Sequence, residues 1–377
     1  MDEPKPNWFQ RQRQKVQDFW RRVSEGLTLQ ELWTQFRKET TAGYRSYTKG
    51  IRPADPEEKE TKRAGRVLRD LFWATLSKLS PVRRILLLVA LVFWISPLLG
   101  APLVFAFYAA AILLAILGLE LADRVAMKRD MQIARDIQKW LLPHEPPACP
   151  EADVAFAALP ANTVAGDYLD IFFRQTNGST PPRPPLFFAV ADVAGKSVPA
   201  ALLSATLQAS LRTAAYETAS LADLVARINS YACDHSLDGR RFTTGVFAEL
   251  DPQSGSLTYV NAGHNPPLLR RGNGELLTLE AGGLPLGIER DRGYECRTVA
   301  MQPGDLLVLY TDGVVEAENE KREEFGEQRL REVVGASGDA EAPLVLESIL
   351  KSVERFLGVA PQNDDITCFV MRYRGVS

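Results

Sequence analysis

Histidine and cysteine are scarce: the 377-residue chain holds three of the first and four of the second. Cys149, Cys233, Cys296 and Cys368 stand far apart with no C-x-x-C pair, which excludes a zinc ribbon and a disulfide framework and reads as reduced thiols. His144, His235 and His264 include no i,i+4 pair, so a zinc hydrolase of the H-E-x-x-H type is excluded too. Any metal site must therefore be built from carboxylates, which suits Mg²⁺ or Mn²⁺. Tryptophan is missing from everything after Trp140, although six occur up to that point. The net charge of −3 argues against a dedicated nucleic-acid binder.

Charge itself is absent from Ile85 to Leu119, a run of 35 residues. As one straight helix at ~1.5 Å per residue it would be longer than the ~30 Å hydrocarbon core of a bilayer. Ser96, Pro97, Gly100 and Pro102 near its middle break helices and favour a turn. The expectation is a hairpin of two short spans, Ile85–Leu99 and Pro102–Leu119. The arms are short enough that a re-entrant hairpin stays open beside full spanning, and a buried hairpin of a soluble core is the third reading. Lys78, Arg83 and Arg84 precede the run and Arg124, Lys128 and Arg129 follow it. Positive charge on both flanks places both on the cytoplasmic side of the inner membrane.

The charge balance is lopsided. Residues 1–84 carry 19 Lys and Arg against 11 Asp and Glu, a net of +8, which leaves −11 for the remainder. Val16, Phe19, Trp20, Val23 and Leu27 recur at helical spacing, as do Leu29, Leu32, Trp33 and Phe36, with Thr28 and Glu31 forming a capping box. A third basic helix is expected over Lys62–Leu79, packed on a neighbour or lying on anionic lipid. Between Glu120 and Leu142 there is no Pro or Gly, which predicts a linker helix running on from the second span. Ile133, Ile137 and Leu141 share one face of it, so it reads as a spacer or as a lever that pairs with a second copy.

Beyond Glu151 short β-type runs alternate with two helix-rich stretches, Ser197–Ser236 and Phe325–Leu357. Pro185–Ala194 and Gly304–Tyr310 are apolar runs ending in aspartate, and Phe242–Leu250 with Ser256–Asn261 read as an antiparallel pair. Carboxylates recur at four strand ends: Asp167 and Asp170, Asp192, Asp312, and Asp364 with Asp365. Any one alone reads as a cap or turn residue. Four together repel one another unless cations neutralise them, which favours a two-metal centre with oxygen ligands.

The segments AGDYLD (165–170), VADVAGKSVPAALLSA (190–205), NAGHNPPLL (261–269), YTDGVVEAEN (310–319) and NDDIT (363–367) resemble, in order, the motifs of PPM-type metal-dependent serine/threonine protein phosphatases. The branch is that of stage II sporulation protein E and the bacterial stress-response phosphatases. The resemblance spans about residues 130–373 and includes ARDIQKWLLP (134–143), which is similar to the regulatory helix before these domains. It implies an α+β fold, an αββα sandwich with two Mn²⁺ or Mg²⁺ ions between the sheets. The chain then divides into an N-terminal helical region (1–80), a membrane hairpin (81–119), a linker helix (120–145) and a phosphatase domain (146–377).

By the same resemblance Asp167 and Asp192 bridge the metals, the Val193 carbonyl completes the first ion's shell, and Asp312 and Asp364 ligate the second. Asp365 stands where many relatives have Asn, and Asp170 is an outer-shell acceptor or a third-metal ligand. Lys196 occupies a place where some phosphatases carry a proton-donating His, and would contact phosphate. His264 is either a leaving-group acid or a turn residue. Ala165 and Ser197 replace customary glycines. The implied substrate is a phosphoserine or phosphothreonine on an anti-sigma-factor antagonist in a partner-switching pathway. Two other readings stand beside it: a membrane scaffold with a vestigial phosphatase fold, and a diguanylate cyclase, whose Gly-Gly-Asp-Glu-Phe hairpin AGDYLD echoes except that Tyr168 and Leu169 replace Glu-Phe.

Overall fold

The computed structural model describes Arg69, Phe72, Trp73, Leu76, Ser77 and residues 79–376, excluding 176–183, 196–197, 236–240 and 281. The helices expected over 1–68 lie outside the described residues, as do Lys196 and Ser197. Two compact units are present, residues 1–124 and 125–377.

In the first unit, helix α1 (Pro81–Ile95) runs into a 3₁₀ turn at Ser96–Leu99. Pro81 opens α1, where a missing N–H leaves no broken bond. Helix α2 (Val104–Leu141), whose residues from Val125 on belong to the second unit, begins after Pro102, and runs long because Gly118 is its one glycine and no proline follows until Pro143. The two are long and apolar enough to cross a membrane. Small residues are the most deeply buried in them, Ala90 and Ala109, while Leu91, Val92, Leu98, Phe107 and Leu114 face outward. At the open end Arg83 donates to Glu120 (3.0 Å) and Asp123 (2.6 Å), so the charged ends of the two helices lie together.

The second unit is a four-layer αββα sandwich. One sheet has the order β1-β10-β9-β6-β7 and the other β2-β3-β4-β5-β8. The first contains β1 (Ala152–Leu159), β6 (Leu268–Arg270), β7 (Leu276–Thr278), β9 (Leu306–Tyr310) and β10 (Ile366–Tyr373). The second contains β2 (Tyr168–Phe173), β3 (Leu186–Val193), β4 (Thr243–Leu250), β5 (Ser256–Ala262) and β8 (Arg297–Ala300). Helices α3 (Val198–Glu217) and α4 (Leu221–Asp234) cover the second sheet, and α5 (Gly326–Gly335) and α6 (Ala342–Leu357) cover the first.

Why the central strands read as unbroken apolar runs follows from these layers. Along β3, Phe188 and Val190 point between the sheets, and Phe187, Ala189 and Ala191 point toward α3 and α4. With both faces buried the alternation of polar and apolar residues disappears. Phe188 stacks on Phe369 of the opposite sheet at 4.6 Å, which ties the two sheets together at the core. The α6 stripe Ala342, Val345, Leu346, Ile349 and Val353 follows helical spacing onto the other sheet. Its N-terminus is capped from outside the helix, by Asp153 of β1 accepting from the Ala342 N–H at 2.8 Å.

Candidate active site

Two antiparallel hairpins place the acidic motifs. Strand β2 starts where β3 ends, with Tyr168 opposite Ala191. Strand β10 starts where β9 ends, with Cys368 opposite Tyr310. Asp167 and Asp192 therefore stand at one end of the second sheet, and Asp312 and Asp364 at the end of a strand pair in the first. Backbone groups at such ends have left the ladder and need other partners, which side chains of the motifs supply.

Asp167 is 5% exposed. One of its carboxylate oxygens accepts from the Thr311 hydroxyl at 2.9 Å, and that hydroxyl in turn accepts from the Thr367 N–H at 2.9 Å. The loop before it is held by Asp365, whose two oxygens accept from the Ala161 N–H (2.8 Å) and the Gly166 N–H (2.6 Å). Gln138 of α2 holds the next residue with a reciprocal amide pair: it donates to the Ala165 carbonyl (2.8 Å) and accepts from the Ala165 N–H (2.9 Å). Gln208 of α3 donates to the Leu141 carbonyl (2.5 Å) at the end of the same helix.

Two glycines in this region stand at close approaches, one of them obligatory. A Cβ on Gly313 would lie 1.9 Å from the Asp365 carbonyl oxygen, so the residue after Asp312 must be glycine. At Gly166 a Cβ would meet the Val193 carbonyl and the Ala200 side chain, both at 3.3 Å. Ala165, by contrast, tolerates its extra methyl, because among described non-glycine residues a positive φ occurs at Arg322 alone.

Electrostatically the Asp167 end is unfavourable as it stands. Burial raises the Asp167 carboxyl well above the usual carboxylate range, the charges of Asp192 and Asp365 add to the rise, and the hydroxyls of Thr367 and Thr311 oppose it. A cation is what removes such a penalty, and the donor set is all oxygen, as Mg²⁺ and Mn²⁺ prefer. The gathering is partial: among the described residues no three His, Cys, Asp or Glu side chains converge on one point. Asp167 and Asp192 sense each other's charge. Asp312 follows Thr311, and Asp364 accepts from the Asp365 N–H at 3.0 Å, so each adjoins a residue that grips Asp167 or its loop.

Two of the singled-out residues have partners of their own. Asp170, expected as an outer-shell acceptor or a third-metal ligand, is held by an arginine. It is fully buried, accepts from Arg212 through both Nε (2.7 Å) and Nη2 (2.5 Å), and accepts from the Tyr168 hydroxyl at 2.9 Å. The two-residue period of β2 explains it: Asp170 shares the helix-facing side with Tyr168 and Phe172. His264, expected as a leaving-group acid or a turn residue, is buried beside its turn. It is 4% exposed, Nδ1 lies 2.9 Å from the Thr244 hydroxyl, Nε2 has no hydrogen bond of good geometry, and burial lowers its pKa to about 4. Asn261 brackets it, accepting from the His264 N–H and donating to its carbonyl.

Reading the sequence missed Thr311, Gln138 and the clamp made by Asp365. Thr311 sat in view beside Asp312; the other two are joined to the site across 27 and about 200 residues of chain, where no local pattern exists.

Comparison with known proteins places this geometry. A profile of the family described as Stage II sporulation protein E (SpoIIE) matches residues 182–374. The phosphoserine phosphatase RsbU of Bacillus subtilis is 27% identical over 251 residues, covering 65% of this chain and 70% of RsbU. Protein IcfG of Synechocystis is 26% identical over 264 residues, 63% of this chain, and the chain spans 40% of its length. Among solved structures, the PP2C domain of SiaA from Pseudomonas aeruginosa superposes with a TM-score of 0.58 at 20% identity, over 67% of this chain and 99% of that domain. The RsbU and RsbW domains of a Mycobacterium tuberculosis protein give 0.51 at 25% identity, over 61% of this chain and 62% of that one. The sandwich is thus the PP2C phosphatase fold, and since the profile covers just over half of the chain, the protein belongs to the Stage II sporulation protein E family.

Proposed function

We propose that the protein is a membrane-anchored, metal-dependent phosphatase that hydrolyses phosphoserine or phosphothreonine on a protein. The observation that carries the reading is the buried Asp167 beside Asp192 at a sheet end, with Asp312 and Asp364 at the end of the opposing strand pair. Two Mn²⁺ or Mg²⁺ ions would be held by Asp167, Asp192, the Val193 carbonyl, Asp312 and Asp364. Such ions, when bound, acidify a water for in-line attack and neutralise charge on the phosphoryl oxygens.

The chain's own residues then have positional work. Thr311 fixes which way the Asp167 carboxylate turns. Asp365 and Gln138 hold the backbone that delivers it. His264 sits behind the site as a neutral spacer against Thr244, which pairs with Asp192 across the strands. A thiol nucleophile is not needed, and burial pushes the Cys368 thiol up to about 12, far from a reactive thiolate.

The substrate we propose is a phosphorylated anti-sigma-factor antagonist in bacterial partner switching. Support comes from relatives named phosphoserine phosphatases and from the RsbU domain joined to an RsbW domain in one relative. Inner-membrane anchoring rests on the two apolar helices, with both flanks cytoplasmic. Pairing of two copies through the linker helix rests on Ile133, Ile137 and Trp140, all exposed on α2 at i, i+4 and i+7. The cyclase reading does not fit the sandwich: Tyr168, which stands where that hairpin has Glu, is buried with its hydroxyl on Asp170. The scaffold reading is separated by experiment. Hydrolysis of p-nitrophenyl phosphate and a phosphoserine peptide is measured with Mn²⁺ for the wild type, Asp192→Asn and Asp312→Asn. Activity in the wild type and its loss in both variants is expected; a wild type without activity supports the scaffold, and unaffected variants overturn the metal assignment.

A further inference from the structure

A half-open cavity of about 150 Å³ lies in the helical layer over the second sheet, between α3, α4 and the start of β4. Leu203, Leu207, Ile228 and Leu286 form its apolar wall, and His235 and Arg241 stand among its polar lining residues. An apolar space of ~150 Å³ is the size that accepts a benzene ring.

Two observations indicate what would fill it. The Arg241 guanidinium has no hydrogen-bond or ion-pair partner among the described residues, whereas Arg174 and Arg212 in the same half of the sandwich are each anchored to a carboxylate. The second is position. The Phe242 carbonyl accepts from the Ala194 N–H at 2.9 Å, and Thr243 pairs with Val193, directly beside the pair Thr244 and Asp192. With strands ~4.8 Å apart and residues ~3.3 Å apart along each, the cavity rim is within a few residues' reach of the acidic edge.

We propose that this cavity is a substrate subsite. It takes one aromatic or branched apolar side chain of the phosphoprotein, close in sequence to the phosphorylated residue, with an adjoining acidic residue meeting Arg241. The apolar wall supplies the affinity for the ring, and the guanidinium sets the direction in which the polypeptide crosses the edge. This rests on the phosphatase reading above, and the subsite assigns sequence preference to it.

The test uses short phosphoserine peptides in which a Phe-Asp pair is moved one position at a time along an otherwise Ala-Ser sequence, with Ala-Ala as the reference. For the wild-type chain with Mn²⁺, kcat/KM at one favoured spacing should exceed the reference by about tenfold or more, the range an apolar pocket supplies. Thr206→Trp, which fills the cavity from α3, and Arg241→Glu should each remove the preference while leaving p-nitrophenyl phosphate hydrolysis unchanged. Arg241→Glu should in addition prefer Phe-Lys to Phe-Asp, a reversal that misfolding cannot produce. Equal rates for all spacings in the wild type would overturn the subsite. Should the wild type hydrolyse neither p-nitrophenyl phosphate nor any peptide, the phosphatase reading fails separately. Fluorescence anisotropy of the same labelled peptides then decides the subsite alone: binding lost in Thr206→Trp supports it, and binding equal to wild type refutes it.

Discussion

Asp167 and Asp170 lie three residues apart in one motif, both almost fully buried, and the protein treats them in opposite ways. On the helix-facing side of β2, Asp170 has a permanent counter-charge in Arg212, which also lies 4.1 Å over the Phe172 ring. At the sheet end, Asp167 has a hydroxyl partner in Thr311, and its charged neighbours among the described residues are other carboxylates. One carboxylate is finished by the fold. The other is held in place by hydroxyls among carboxylates, the surroundings that a divalent ion would neutralise. Burial alone therefore does not distinguish a structural aspartate from a ligand; the sign of the neighbouring charges does.

Removing each charge should separate the two. Asp167→Asn is expected to lower phosphatase activity about a thousandfold, beyond the 10–100-fold typical for an outer-shell partner of a metal. The same substitution should raise the melting temperature of the metal-free protein, because it deletes a buried charge that burial and Asp192 both oppose. Calorimetry in EDTA reads this, and a lowered melting temperature would break the comparison. Arg212→Ala should do the reverse. It leaves Asp170 buried and unpaired, a loss of about 3 kcal/mol in chemical unfolding, discounted for the 40% exposure of the arginine side chain.

The pH dependence sharpens the contrast on a third group. His264 has its pKa lowered by burial to about 4 in the folded chain, against 6.5 when unfolded. A depressed histidine contributes stability that is complete above pH 6.5. As pH falls from 6.5 to 4 the unfolded chain takes up the proton first, and up to about 3 kcal/mol is lost. Unfolding free energies across that window should slope downward with acid in the wild type and less steeply in His264→Gln. An identical slope would remove His264 from the buried set. The smallest effect is expected from Thr311→Val, which keeps shape but deletes the hydrogen bond to Asp167 and the acceptor of the Thr367 N–H. Affinity for Mn²⁺ by titration calorimetry should fall about 10–100-fold, and stability by about 1–3 kcal/mol for the buried N–H left unpaired.

How far the sequence alone carried can be read from particular elements. The apolar runs of β3 and β9, the hairpin of β4 and β5 and the helix pairs were legible because their periods and their turn residues are local. In the turn after Leu250, Asp251 accepts from the Ser254 hydroxyl at 2.6 Å, a bond that closes within three residues. The carboxylates were legible as a set, through their repeated placement after apolar strands. That Asp170 is set apart by an ion pair was not, since Arg212 is 42 residues from it and on a different element. His264 read as a leaving-group acid or a turn residue, and no local pattern showed that it would be buried.

What the sequence determined by itself is the material: a charge-free run long enough for two helices, an acidic domain without zinc-type ligands, and aspartates at strand ends. Those follow from composition and short-range pattern, which survive in any conformation. The tertiary structure decided which aspartate is neutralised by an arginine and which lies among other carboxylates. It also decided that Asp365 and Gln138 hold the loop before Asp167, and that an apolar cavity opens one strand position from Asp192. Each of those depends on distances between residues far apart in the chain, and only the packed sheets set such distances.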